Sequence, residues 1–206
     1  MSLHLHGDSI FDNKSYVPDN EAVEDHLDKV LPGMRHILWA NDGDTTRETY
    51  VILKDLHKAY EDNADVYAVL SVGGNDALQA AHIMATPVST VEEAFEAMGE
   101  TIQTFRMSYE RVIDMLMDNY VKENIAIATI YDKIPGELIG VGPSQRLALG
   151  LFNNVITEIA SRRGLKLLDL RVVCNDPSHY SEVSPIEPSS EGGYAIAQAI
   201  AKTFNL

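Results

Sequence analysis

Five short runs of mostly apolar, β-favouring residues punctuate the chain, at Ser2–His6, His36–Trp39, Val66–Val72, Ile125–Ile130 and Leu165–Leu170. Several lack strict alternation, the pattern of strands buried on both faces of a parallel sheet. Between them the apolar positions change to helical spacing. Glu21–Val30 carries Val23, Leu27 and Val30, and Thr46–Tyr60 carries Tyr50, Leu53, Leu56 and Tyr60. Val91–Tyr120 keeps a 3.6-residue period throughout. A straight helix of that length would run about 45 Å, so the pattern predicts a bend or break near Gly99. Gln145–Arg163 is the next helix, with Gly164 as its left-handed stop, and Ser190–Phe204 is the last. The order β-α-β-α-β-α-β-α-β-α calls for a parallel sheet covered by helices on both faces. No linker, repeat or low-complexity tract divides it, so a single domain over residues 1–206 is expected.

Composition narrows the function classes. The 206 residues carry 16 basic and 31 acidic groups, a formal charge of −15. A phosphate backbone would be repelled by that balance, so no nucleic-acid partner is expected. Cys174 is the one cysteine, which excludes an internal disulfide or a cysteine-based zinc cluster. No apolar run approaches the ~18 residues of a membrane span. The chain starts almost directly in a strand-like segment, without a charged n-region and apolar h-region, so the expected compartment is the cytoplasm. Oligomeric state is not readable from these patterns.

In open α/β sheets ligands bind beyond the carboxyl ends of the strands, so the residues after each run are the places to look. The first run is followed by Gly7-Asp8-Ser9, where a tight turn can expose a hydroxyl. After the second comes Asn41-Asp42-Gly43-Asp44-Thr45, whose glycine lets a substrate approach a backbone N–H. After the third comes Gly73-Gly74-Asn75-Asp76, offering a side-chain amide donor. Each alone reads equally well as a turn or a helix cap. Three such turns at consecutive strand ends carry more weight together.

Gly7-Asp8-Ser9-Ile10, Gly43-Asp44-Thr45 and Gly74-Asn75-Asp76 resemble, in order and spacing, the sequence blocks of the GDSL/SGNH hydrolase family. Ile10 stands where the family's name places leucine. The resemblance implies a three-layer α/β/α fold with a five-stranded parallel sheet in flavodoxin-like order. It also implies a serine ester hydrolase of the esterase, lipase or acetylesterase type, acting on a small-molecule ester. Ser9 would be the nucleophile, and Ser9 N–H, Gly43 N–H and the Asn75 side chain would form the oxyanion hole.

The family's final block, Asp-x-x-His before the last helix, has two registers here. Asp176-Pro177-Ser178-His179 has the right residues at the right spacing. A proline usually follows the family's histidine, however, with a helix-leading glycine shortly after. That context occurs at Glu187-Pro188-Ser189-Ser190-Glu191-Gly192, with Glu187 in the histidine's place and Ser184 in the aspartate's. Three readings stay open. Tyr180–Ile186 loops out and His179 with Asp176 reaches Ser9. Alternatively Glu187 is the base, made more effective if burial raises its pKa. In the third, the triad is incomplete and the chain is an impaired module on the same fold, binding a carbohydrate or protein partner.

The remaining chemistry is sparse. His4 and His6 alternate on the first strand and share a face; packed or hydrogen-bonded roles are expected for them, as a helical role is for His82. His26, His36 and His57 carry no functional assignment. Neither G-x-G-x-x-G nor G-x-x-x-x-G-K-[ST] is present, so no cofactor is expected. Asp8, Asp44 and Asp76 lie near the sheet mouth, but no metal is expected, because Ser9, Gly43 and Asn75 suit ester chemistry better and Asp8 and Asp76 suit capping. Together with Asp176 or Glu187, these aspartates would make the site acidic and disfavour anionic substrates. Tyr131–Ser144 and Ala77–Met84 are expected to shape the pocket.

Overall fold

The computed structural model describes residues 1–56, 58–133 and 142–206. His57 and the 134–141 part of the Gly/Pro-rich stretch lie outside the described residues.

Strands β1 (Ser2–Gly7), β2 (Arg35–Ala40), β3 (Val66–Ser71), β4 (Ile125–Ala128) and β5 (Lys166–Leu168) form one sheet in the order β2-β1-β3-β4-β5. Every pairing is parallel. This is the doubly wound, three-layer architecture with the flavodoxin-like order that the element pattern calls for. β1, β3 and β4 are central and almost wholly buried, which explains their near-continuous apolar sequence, while the edge strands β2 and β5 are partly exposed.

Alternation along β1 divides the core. Leu3 and Leu5 face helices α1 (Val23–Val30) and α7 (Ser190–Phe204), meeting Leu27, Ile196 and Ile200. The opposite face packs Ala68, Leu70 and Ile127 against α2 (Thr46–Leu56), α4 (Val91–Asn119) and α5 (Pro143–Arg163). His4 and His6 project toward this second side. The Tyr120 hydroxyl lies 2.9 Å from His4 Nδ1 and 2.8 Å from His6 Nε2. Burial lowers the pKa of His4 to about 4 and of His6 to about 3, so both are neutral packing groups.

Two short helices complete the picture: α3 (Gly74–Ala80), continued by a 3-10 turn over Ala81–Ala85, and α6 (Leu170–Val173). The end of α5 is as the sequence indicates, with Gly164 left-handed at φ 65°. One expectation fails. α4 runs unbroken through Gly99 for 29 residues, about 43 Å. A Cβ at Gly99 would meet nothing within 4 Å, so no packing contact pulls the helix off axis there. Instead α4 overhangs the sheet: its buried positions begin at Phe105, and Val91 and Phe95 are exposed. A glycine in an exposed helix costs only about 1 kcal/mol and leaves the hydrogen-bond ladder intact.

Candidate active site

The turn after β1 is built on a glycine. Gly7 has φ +129°, and a Cβ there would sit 1.7 Å from the Ser71 carbonyl oxygen of neighbouring β3. Only glycine fits that approach. The next residue locks the turn: Asp8 N–H donates to Ser71 O, the Asp8 carbonyl accepts from Phe11 and Asp12, and Asp8 Oδ1 accepts from Ile10 N–H at 3.2 Å. Ser9 is left at the top with its hydroxyl on a cavity of about 160 Å³ that also touches Asp8, Asn75 and Glu187. Its own N–H enters none of these turn bonds.

The other two turns are tied to each other. Asn75 Nδ2 donates to the Asp44 carbonyl at 2.9 Å, which orients the amide and leaves its second N–H. Asp76 accepts from Thr46 N–H at 3.0 Å and Thr46 Oγ1 at 2.6 Å, holding the start of α2. Asp44 is held by Asn41 Nδ2. The carboxylates of this region therefore serve as caps and turn clasps, as expected of Asp76 and Asp8. Among the described residues no group of three His, Cys, Asp or Glu side chains is arranged to hold a metal. Gly43 has φ +86° and open space where a Cβ would be, but it is exposed and does not line the Ser9 cavity.

The final block resolves geometrically. Pro177–His179 is a 3-10 turn capped by Asp176, whose Oδ1 accepts from Ser178 N–H at 2.9 Å. Asp176 is exposed, and the buried His179 Nδ1 has no partner, so the two do not pair. The turn is pressed on the start of α7: Ser189 N–H donates to the His179 carbonyl at 3.0 Å, and a Cβ on Gly192 would come within 2.1 Å of that oxygen. Neither His179 nor Asp176 lines the Ser9 cavity. The chain then doubles back, with Tyr180 and Pro188 forming an antiparallel bridge and Ser181 N–H donating to the Glu187 carbonyl. Tyr180–Ile186 does loop out, but it delivers Glu187 to Ser9 and leaves His179 behind. The picture of Asp176 as part of the acidity around Ser9 is corrected likewise.

Glu187 is clamped from both sides. Tyr131 donates its hydroxyl to the Ile186 carbonyl, and Asn13 Nδ2 donates to the Pro188 carbonyl at 3.3 Å. Asn13 is fully buried and also accepts from Val23 N–H at the start of α1. Neither tether is signalled by a motif; each joins residues far apart in the chain. The Glu187 side chain is 4% exposed. Burial pushes its pKa up to about 7; the Ser9 hydroxyl, a hydrogen-bonding neighbour, acts to lower it, and Asp42 to raise it. Glu187 Oε2 is buried and lacks a donor. Asp8 is also raised well above the usual carboxylate range, chiefly by burial, with Glu187 and Asp76 adding repulsion.

No protein-family model and no curated protein matches the chain. Solved structures do. It is similar to a member of the lipolytic G-D-S-L family from Veillonella parvula, with TM-score 0.70 and 14% identity over 98% of this chain and 96% of that one. A lipase from a goat rumen metagenome gives TM-score 0.72 and 16% identity over 98% and 97% of the two chains. An acetyl xylan esterase, AlAXEase, gives 0.68 and 18% over 98% of each. The chain shares the fold of these proteins over 98% of its length.

Proposed function

We propose that this chain is a serine ester hydrolase in which Glu187 takes the place of the usual histidine. The observation that carries the reading is the meeting of Ser9 and Glu187 on one cavity, on the fold of known lipases and esterases. Ser9 Oγ attacks the ester carbonyl carbon while its proton passes to the Glu187 carboxylate. A carboxylate of ordinary pKa is a poor base for a hydroxyl; one raised to about 7 is a better match to neutral pH. The tetrahedral oxyanion is held by Ser9 N–H and the free N–H of Asn75; Gly43, exposed and outside the cavity lining, is not needed for it. Each such donor is worth roughly 3–4 kcal/mol of transition-state stabilisation. Collapse breaks the ester C–O bond, and the alcohol leaves with the proton from Glu187. Water, activated by the same carboxylate, then releases the acid from Ser9.

A second reading, a non-catalytic module on the same fold, is favoured by one feature: among the described residues no histidine lines the Ser9 cavity. Labelling with a fluorophosphonate probe separates the two. The hydrolase reading expects phosphonylation of Ser9, identified by peptide mass, and its loss in Ser9→Ala. No labelling of correctly folded protein, together with no turnover of any p-nitrophenyl ester, contradicts it.

A further inference from the structure

The Ser9 cavity does not end at Ser9. It runs away from the catalytic turn past Phe152 to Met84, Met98 and Ala148. Those last three residues also wall a second cavity of about 260 Å³, which continues outward between Phe95 and Leu147. The two cavities thus share a wall at Met84, Met98 and Ala148, and together they line the way from the serine to the overhanging end of α4 and the first turns of α5. The lining changes character along that path. The carboxyl groups, Asp8 and Glu187, lie at the Ser9 end, and no lysine or arginine lines either cavity among the described residues. Phe95 and Leu147 are 63% and 65% exposed at the outer end, large apolar side chains left in water. The overhang of α4 gains nothing from the core, yet it supplies Phe95 and Met98 to this wall.

We infer that the path is a channel for the acyl chain of the substrate, and that the chain hydrolyses neutral esters of linear acids of about eight carbons or more in preference to acetyl esters. The inference rests on the Ser9 reading above and adds the substrate class. A cavity of about 150 Å³ holds one benzene-sized group, so the inner cavity of about 160 Å³ accommodates about six carbons and a longer chain must enter the outer one. The walls offer a sugar ring few hydrogen-bond partners beyond the Ser9 end, which disfavours a carbohydrate on this side. The two methionines at the junction suit a flexible chain, because an unbranched thioether adapts to irregular gaps.

The test is a p-nitrophenyl ester series from acetyl to dodecanoyl, run with the wild-type chain, Ala148→Trp and Met98→Trp. Each methylene buried is expected to raise kcat/KM about fourfold until the channel fills, so decanoyl esters should exceed butyryl esters at least tenfold. The bulky indole at the junction should lower that ratio at least tenfold. Highest activity on the acetyl ester, or a ratio unmoved by both variants, overturns the channel while leaving Ser9 hydrolysis intact. If no ester is turned over, the hydrolase reading fails, and the channel is judged by calorimetry with methyl butyrate and methyl decanoate on Ser9→Ala. Binding at least tenfold tighter for decanoate supports it; equal or absent binding overturns it. Should sedimentation show a dimer that Phe95→Asp dissociates, with the chain-length profile unchanged, the outer apolar face is a contact between copies and the inference falls.

Discussion

Asn13 donates its side-chain amide to the Pro188 carbonyl across 175 positions of sequence, at 3.3 Å, and so ties the residue after Glu187 to the segment that follows Ser9. The same side chain accepts from Val23 N–H, so a single buried amide joins the Ser9 turn, the start of α1 and the Glu187 loop. The Ser9 turn and the Glu187 loop hold one another in place.

Replacing Asn13 by alanine should therefore affect stability and rate together. It leaves a buried carbonyl and a buried N–H without partners, which costs about 1–3 kcal/mol for each group stranded from water. Urea denaturation should show that loss, and ester turnover at full folding should fall because the Glu187 loop is no longer held. A stability loss with unchanged kcat contradicts the positioning role.

The second prediction concerns pH. The account needs Glu187 as carboxylate, so kcat/KM should rise with pH through one ionisation near 7, the value to which burial pushes this group. The profile is read with an ester whose own chemistry does not titrate. A rate already at its plateau at pH 5 contradicts a buried carboxylate base.

Stability gives an independent view of the same carboxyl. Its pKa rises from 4.5 to about 7 on folding, so the folded state holds the proton more tightly than the unfolded chain. The stability it contributes is present below about pH 4.5 and is lost as pH rises through 7. Glu187→Gln should thus be the more stable protein at pH 8, by about 2–3 kcal/mol after allowance for residual solvent screening, while the two converge near pH 4. Equal stability at pH 8 contradicts the burial penalty.

His4 and His6 carry the opposite pH dependence. Their pKa values fall from 6.5 to about 4 and about 3 on folding. At pH 7 neither costs anything. Below about 6.5 the unfolded chain takes up protons that the folded state refuses, so the stability these two groups contribute declines between pH 6.5 and 3. Tyr120→Phe, which removes the hydroxyl shared by both rings, should lower stability by about 1–3 kcal/mol at pH 7. Urea midpoints of the wild-type chain and of His6→Asn across pH 3–8 check the first statement, since the comparison cancels Glu187, whose contribution runs the other way; a difference between the two that stays constant from pH 6.5 to 4 contradicts it, and the Tyr120→Phe midpoint at pH 7 checks the second.

The layers of the fold were legible because burial on two faces leaves the central strands almost purely apolar, and because helices and strands alternate strictly. α4 was misread because the sequence bears Gly99 and an improbable length, while neither forces a bend once the helix can overhang the sheet. The turn that presents Ser9 was legible in Gly7, where Ser71 O excludes any side chain. The side chain that meets Ser9 was legible only as two competing registers. What separates them is the Gly192 contact with the His179 carbonyl and the tethers from Tyr131 and Asn13, long-range packing that leaves no local pattern. Gly43 carries a block motif but is exposed and outside the cavity lining, since a motif specifies a turn and not where the cavity lies.

The most direct measurement of the central claim is the rate of hydrolysis by Glu187→Gln and His179→Ala, each compared with the wild-type chain on one ester at pH 8. The account predicts a loss of 10²–10⁴-fold for Glu187→Gln, the usual worth of a general base, and a change of no more than about twofold for His179→Ala, a size at which no transition-state contact is lost. A large loss in His179→Ala with Glu187→Gln near wild type would contradict it.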